Sequence, residues 1–194
     1  MPPPCAVHAS PVPFQHNPDR PVTADVSLEP IAPHHAEDVQ RLASDPDVVA
    51  TTNLPEPYPE DGAAEWIADV VPKQEAGEEY AFAIRNTDGT LVGVCGLVGV
   101  TDDVAELGFW IGKPFWNRGY ATAAGRETVN FAFETVGIER VFARALVHNA
   151  PSRRVLEKLG FVFKQTETHE HPKWSDEDLV TRYEITRSEW MATY

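Results

Sequence analysis

Residues 106–122 read Glu-Leu-Gly-Phe-Trp-Ile-Gly-Lys-Pro-Phe-Trp-Asn-Arg-Gly-Tyr-Ala-Thr. They pass from a strand pattern through a loop of small residues into the start of a helix. That order suits the binding of an anion. The first N–H groups of a helix have no internal acceptor, and the helix dipole adds positive character there. Gly119 lets a phosphate approach the backbone without a Cβ in the way. Ala121 keeps the next turn small, and Arg118 adds a fixed positive charge that a diphosphate would meet. Neither G-x-x-x-x-G-K-[ST] nor G-x-G-x-x-G occurs, so the two common nucleotide loops are excluded. His169-Glu170-His171 places two imidazoles at i and i+2 on one strand face. No third ligand lies nearby in sequence, so the segment reads as a polar hairpin and no metal is expected.

These residues need elements to hold them. Residues 26–28 begin a strand, and 35–44 read as a helix with Val39 and Leu42 on one side. The prolines at 55, 57 and 59 forbid a helix there. A second helix follows over 62–71, with Ala63, Trp66, Ile67 and Val70 at helical spacing. Strands over 80–85 and 91–100 flank the turn signal Asn86-Thr87-Asp88-Gly89. A third strand of this group runs over 105–111, and a long helix over 120–136 stops at Gly137. Residues 140–147 form a strand, Pro151 opens a helix that Gly160 ends, and 161–168 and 179–186 are the last strands. Strands and helices alternate only in the second half. An α/β (α+β) fold follows, with a mixed central sheet of about six to seven strands flanked by helices.

The chain has 194 residues, which suits one domain. Residues 1–22 hold seven of the 17 prolines and no apolar period, so they read as a proline-rich flexible tail before a single domain over 23–194. The formal net charge is −14, from 16 Lys+Arg against 30 Asp+Glu. Such a surface repels phosphate backbones and argues against a nucleic-acid partner. It keeps the protein soluble and favours cationic substrates. Cys95 sits in an apolar run and reads as a small core residue, while Cys5 lies in the tail; the pair makes no disulfide framework, and a cytoplasmic location fits. No run approaches a membrane span, so no membrane partner is expected.

The run 106–122, followed by Asn149-Ala150-Pro151-Ser152 and Glu157-Lys158-Leu159-Gly160-Phe161, resembles the GNAT superfamily of N-acetyltransferases. Leu54-Pro55-Glu56-Pro57-Tyr58 and Leu91-Val92-Gly93 are most similar to the RimJ/RimL-like branch, the ribosomal-protein N-terminal acetyltransferases. The resemblance covers residues 24–188. It implies a splayed sheet, with coenzyme A in the wedge between the strand ending near Ile111 and the strand over 140–147. In the family's pyrophosphate motif Trp116 stands where Gln or Arg is usual, with Gly119 and Ala121 in the small positions. Backbone groups of Asn117, Arg118, Gly119, Tyr120, Ala121 and Thr122 would then bind the phosphates, and Trp116 would serve as a cofactor wall. Phe109, Trp110 and Ile111 would pair with the pantetheine arm, and Asn149 and Ser152 would face it.

The reaction so implied moves acetyl from acetyl-CoA to a primary amine, by direct attack in a ternary complex. The acceptor would be a protein N-terminus, an amino acid or another small amine, and the protein a monomer or homodimer. The amine must be neutral, although its reference pKa is about 7.7–8.0 for an α-amino group and about 10.4 for a Lys. Glu106 is the candidate base, set among large apolar neighbours, or else a structural ion pair. Ser152 is the candidate near the leaving thiol, or else a cap on its helix. Relatives use a Tyr as acid on this helix, and none stands between Asn149 and Phe161. Tyr58 and Trp174 are candidate walls of the acceptor site. A non-catalytic acyl-CoA-binding regulatory module is the alternative.

Overall fold

Asn86 makes the first hairpin. Its side-chain Oδ1 accepts from the N–H groups of Asp88 (3.1 Å) and Thr90 (2.9 Å), and Gly89 takes a φ of 77°. The turn joins β2 (Tyr80–Asn86) to β3 (Leu91–Val98). The computed structural model describes residues 24–169, 171–175 and 177–193. The tail expected over residues 1–22 lies outside them. Seven strands form one sheet in the order β1-β2-β3-β4-β5-β7-β6, with β1 at Val26–Pro30, β4 at Val104–Ile111, β5 at Arg140–Leu146, β6 at Val162–Glu167 and β7 at Val180–Thr186. The mixed, helix-flanked sheet expected from the pattern is therefore present.

Side-chain alternation decides what covers each face. Ala81, Ala83 and Val94 point to one side and pack with Val39 and Leu42 of α1 (Ala36–Ala43) and Ile67 and Val70 of α3 (Gly62–Ala76). Phe82, Ile84, Cys95 and Leu107 point to the other. There they meet Ala124 and Val129 of α4 (Tyr120–Phe131) and Leu156 of α5 (Ala150–Lys158). Each such side chain contributes on the order of 1.5–3 kcal/mol by leaving water. β3 is buried on both faces along nearly its whole length, which is why it reads as a continuous apolar run. Cys95 is part of that core, its Sγ 3.1 Å from Thr128 Oγ1, and burial pushes its thiol pKa up to about 12.

Four boundaries differ from the sequence reading. The second expected helix runs on through Pro72 to Ala76. A proline removes one N–H, but Gln74 compensates by tying this helix to the sheet: Ala81 N–H donates to its Oε1 (2.9 Å), and its Nε2 donates to Ile31 O (3.3 Å). A short helix, α2 (Pro46–Val49), was not expected; Asp45 caps it and Pro46 opens it. The long helix changes at Ala132 to a wider π turn before Gly137 ends it, as its left-handed φ of 90° allows. A final helix, α6 (Arg187–Thr193), follows β7 directly and buries Trp190. Its start is a reciprocal cap between Thr186 and Glu189.

One feature of the sheet positions the site. β4 and β5 run parallel and pair at three positions only, Val104↔Arg140, Ala105↔Val141 and Glu106↔Phe142. Beyond Glu106 the strands part. β4 continues to Ile111 against β3 alone, and β5 to Leu146 against β7 alone.

Candidate active site

Where β4 ends, the backbone builds a cradle. Lys113–Phe115 make one tight turn, and Trp116 follows in extended conformation. Its indole Nε1 donates to Ile111 O at 2.6 Å, bracing the loop against the strand it has just left. Asn117 has a φ of 60° and Gly119 a φ of 83°. Asn117 tolerates the left-handed region better than most side chains, and Gly119 occupies it without strain. α4 then starts at Tyr120. Its first bond is Ala123 N–H to Gly119 O (3.0 Å), so the N–H groups of Tyr120, Ala121 and Thr122 have no acceptor within the helix. A Cβ on Gly119 would stand in van der Waals contact with Ala24, 3.6 Å from its N. Arg118 is exposed beside these N–H groups, its guanidinium 5.9 Å from the Phe115 ring.

On the other side of β4 lies a cavity of about 1100 Å³. It gathers Tyr58, Glu106, Phe109, Trp110, Asn149, Ser152 and Trp174 from the sequence candidates. It does not gather Ile111, Trp116 or residues 117–122, which belong to the cradle. Its floor is small: Ala81, Gly96 and Gly108 stand opposite one another on three adjacent strands. The Cα–H of Gly108 faces open space, with no atom within 4 Å of where a Cβ would stand. Glu106 and Trp110 flank Gly108 on the same face.

Glu106 does not sit among apolar neighbours alone, as its sequence context suggested. Arg144, two residues past its β5 partner, reaches back across the first step of the gap. Its Nε and Nη2 donate to the two carboxylate oxygens at 2.9 and 2.7 Å. The pair is bidentate, and the Glu106 side chain is 21% exposed. Asn149, not Ser152, caps α5, its Oδ1 accepting from Ser152 N–H at 3.1 Å. Among the described residues the Ser152 hydroxyl has no hydrogen-bond partner. A second carboxylate, Glu79, lines the same cavity with Lys73 Nζ at 3.9 Å, and burial raises its pKa. Burial likewise raises the Tyr58 phenol.

The histidines of the β6–β7 loop are engaged locally. His169 Nδ1 accepts from His171 N–H (3.1 Å), and its Nε2 lies 3.1 Å from Ser175 O. Glu29, His34 and His35 form a separate cluster at the far edge of the sheet. There the Ala32 N–H donates to His35 Nδ1 (3.0 Å), leaving Nε2 to face Glu29 (3.2 Å), which Arg85 also holds (2.7 Å). Arg144 gave no sequence signal, because its role depends on which strand lies beside β4. Lys173 gave none either. Residues 53–59 were read as non-helical, with 54–58 similar to the RimJ/RimL-like branch, but only Tyr58 among them was read as a wall of the acceptor site.

A sheet that splays after Glu106, with free helix N–H groups at the end of one splayed strand, defines a class. The Acetyltransferase (GNAT) domain family matches residues 25–162, and the chain belongs to it. It is an acetyl-CoA-dependent acyltransferase, and the helix N–H groups without an internal acceptor, the Cβ-free Gly119 and the cationic Arg118 fit that co-substrate's phosphates.

Among particular proteins, it is 30% identical over 184 residues to the FsC-acetyl coenzyme A-N(2)-transacetylase of Aspergillus fumigatus, spanning 87% of this chain and 77% of that one. It is 42% identical over 78 residues to the putative ribosomal N-acetyltransferase YdaF of Bacillus subtilis, covering 39% of this chain and 42% of that one. In fold it is similar to Mycobacterium smegmatis RimJ in complex with CoA-disulfide, with a TM-score of 0.77 at 22% identity over 84% of this chain and 83% of that one. It is also similar to the Vibrio cholerae spermidine N-acetyltransferase in complex with CoA and spermine, with a TM-score of 0.75 at 17% identity over 86% and 98%. No helix among the described residues is long and apolar enough to cross a membrane.

Proposed function

We propose that the chain is a RimJ/RimL-like N-acetyltransferase whose acceptor amine lies in the cavity beside Glu106 and whose acetyl-CoA lies along the free edge of β4. The observation that carries this reading is the parting of β4 and β5 just past Glu106, with the cradle at one end and the cavity alongside. Acetyl-CoA supplies an activated thioester. The chain's own part is to hold its phosphates on the N–H groups of residues 117–122 and to leave the β4 backbone beyond Glu106 open for pairing with the pantetheine arm.

Glu106 receives the proton of the amine, directly or through a water. Both its oxygens bond to Arg144, but an ionised carboxylate offers about four lone-pair sites, so it can accept again. Arg144 fixes its orientation. Ser152 Oγ, released from capping by Asn149, is the donor offered to the departing sulfur. Tyr58 and Trp174 wall the acceptor. Among the described residues, Glu65, Glu79 and Glu106 line the cavity and Arg144 is the one Lys or Arg that does, with Lys73 beside Glu79. That excess favours an acceptor that arrives as a cation. The relatives' acceptors differ, so a peptide N-terminus, an amino acid and a polyamine all belong in the test. A cytoplasmic location fits the buried Cys95 thiol.

The test is a screen of amines against acetyl-CoA, following release of free thiol. Turnover on at least one cationic amine, abolished by competition with desulfo-CoA, is the expected result. Tight acetyl-CoA binding with no turnover on any amine would contradict it.

A further inference from the structure

We propose that Lys173 is a positioning residue that bolts the two halves of the splayed sheet together across the acceptor cavity. The inference rests on the acceptor occupying that cavity.

The halves need such a bolt. β1–β4 carry α1 to α3, and β5–β7–β6 form the other half. The ladder between them is three residue pairs long. Past it, two loops meet over the cavity. One precedes α3 and contributes residues 51–55. The other joins β6 to β7 and contributes Thr168, His169, His171, Pro172 and Trp174. Lys173 sits in the second loop, and its side chain is 8% exposed. Its ammonium has three donors, and all three meet backbone carbonyls of the first: Val49 O, Thr52 O at 3.1 Å and Leu54 O at 3.1 Å. Glu56 lies 3.6 Å away. The neighbouring Trp174 ring lies 4.6 Å from the same ammonium. Burial pulls its pKa down, and Glu56 works the other way.

Among the described residues Thr52 O and Leu54 O have no other donor, whereas Val49 O, at the end of α2, also accepts from Thr52 N–H at 3.2 Å. The polypeptide then turns through residues 50–54 without regular structure. One buried cation therefore fixes the turn and its distance from Trp174 at once. Two weaker links run in parallel, Asn149 Nδ2 to Thr51 O (3.2 Å) and Trp174 Nε1 to Asn53 Oδ1 (3.5 Å). Both end on the same turn, so a turn released by loss of Lys173 moves the whole mouth. Lys173 itself does not line the cavity. It acts through Trp174 and residues 51–55.

The experiment uses the full chain with Lys173→Met, which keeps the apolar stem and removes the ammonium. Hydrogen exchange reads the clamp directly. Amides 50–52, bonded back to Pro46, Val48 and Val49, should exchange on the order of tenfold faster or more, while α4 amides keep their rates. Thiol release from acetyl-CoA with spermine, L-lysine and an Ala-initiated hexapeptide reads the consequence. KM for the accepted amine should rise on the order of tenfold, with a smaller change in kcat and an unchanged acetyl-CoA KM. Lys173→Cys in a Cys5→Ser background, alkylated with 2-bromoethylamine, restores an ammonium at nearly the same reach and should restore both readouts. Unchanged exchange at 50–52 overturns the proposal. So does faster exchange with an unaltered amine KM. A wild type that turns over none of the three amines, nor any in the wider screen, sinks the proposed function alone. The exchange data and their rescue then decide the clamp by themselves.

Discussion

The cradle at residues 111–122 and the cavity beside Glu106, which the proposed function joins in one reaction, are made in different ways. The cradle is contiguous in sequence, and its working groups are backbone N–H groups. Two left-handed residues and one indole brace shape it. The cavity draws on residues from Val39 to Val180, and its working groups are side chains. A backbone site depends on conformation, so it tolerates side-chain change wherever φ and ψ survive. A side-chain site depends on partners brought from afar, so each substitution there acts through one contact. Substitutions in the two regions should therefore fail differently, and that difference can be tested.

The largest effect belongs to the cradle. Gly119→Glu puts a side chain where φ is 83° and a carboxylate where phosphates approach. Acetyl-CoA affinity measured by calorimetry should fall on the order of 10²-fold or more. A folded variant with unaltered affinity would place the phosphates elsewhere. In the cavity, Gly108→Val puts its Cβ into open space and its methyls towards the acceptor. KM for a bulky acceptor should rise on the order of tenfold, with acetyl-CoA KM unchanged. If both KM values rose together, the two regions would not be separable. Trp116→Phe removes the bond to Ile111 O and keeps the ring. The loss should be about 1 kcal/mol, a few-fold in acetyl-CoA affinity. No change would mean that the loop holds its shape without the brace.

The contrast explains what could be read in advance. A strand, Gly119 and a helix start marked the junction as suited to an anion from local signals, and the resemblance carried the assignment of 117–122 to the phosphates. The hairpin at Asn86 and the end at Gly137 were legible from local signals too. The ion pair of Glu106 was not, because Arg144 becomes its neighbour only when β5 lies parallel to β4. The assignment of Ser152 as a possible cap failed by a finer margin, since Asn149, three residues earlier, is the better-placed side chain. α6 was missed although Thr186-Arg187-Ser188-Glu189 spells its reciprocal cap; seven residues are too few for a helical period to stand out. The end of α3 was set too early at residue 71, because the anchoring of Gln74 to Ala81 and Ile31 is not visible along the chain.

The smallest effect lies outside both regions and serves as their control. Burial holds His35 below its reference value of 6.5, partly offset by its bond to Glu29. The folded protein then binds this proton less well than the unfolded chain. Its contribution to stability is full above about pH 6.5 and falls as pH drops through that value towards the lower folded one. Thermal melts at about pH 7.5 and pH 5.5 should show a smaller acid loss for His35→Gln than for wild type. An equal loss in both would remove His35 from the acid response. Acetyl-CoA affinity should be the same in both proteins at neutral pH.

The central claim is that Glu106, held by Arg144, takes the proton of the acceptor amine. Glu106→Gln keeps the shape and removes the base, and the rate of thiol release should be followed from pH 6 to about pH 9.5, across the α-amino range near 7.7–8.0. The account predicts normal acetyl-CoA binding and a rate loss on the order of 10²-fold at neutral pH. The deficit should shrink as pH rises and more of the acceptor arrives neutral. A Gln variant with the wild-type rate across the whole range would contradict the account, leaving the Glu106–Arg144 pair as a structural tie between β4 and β5.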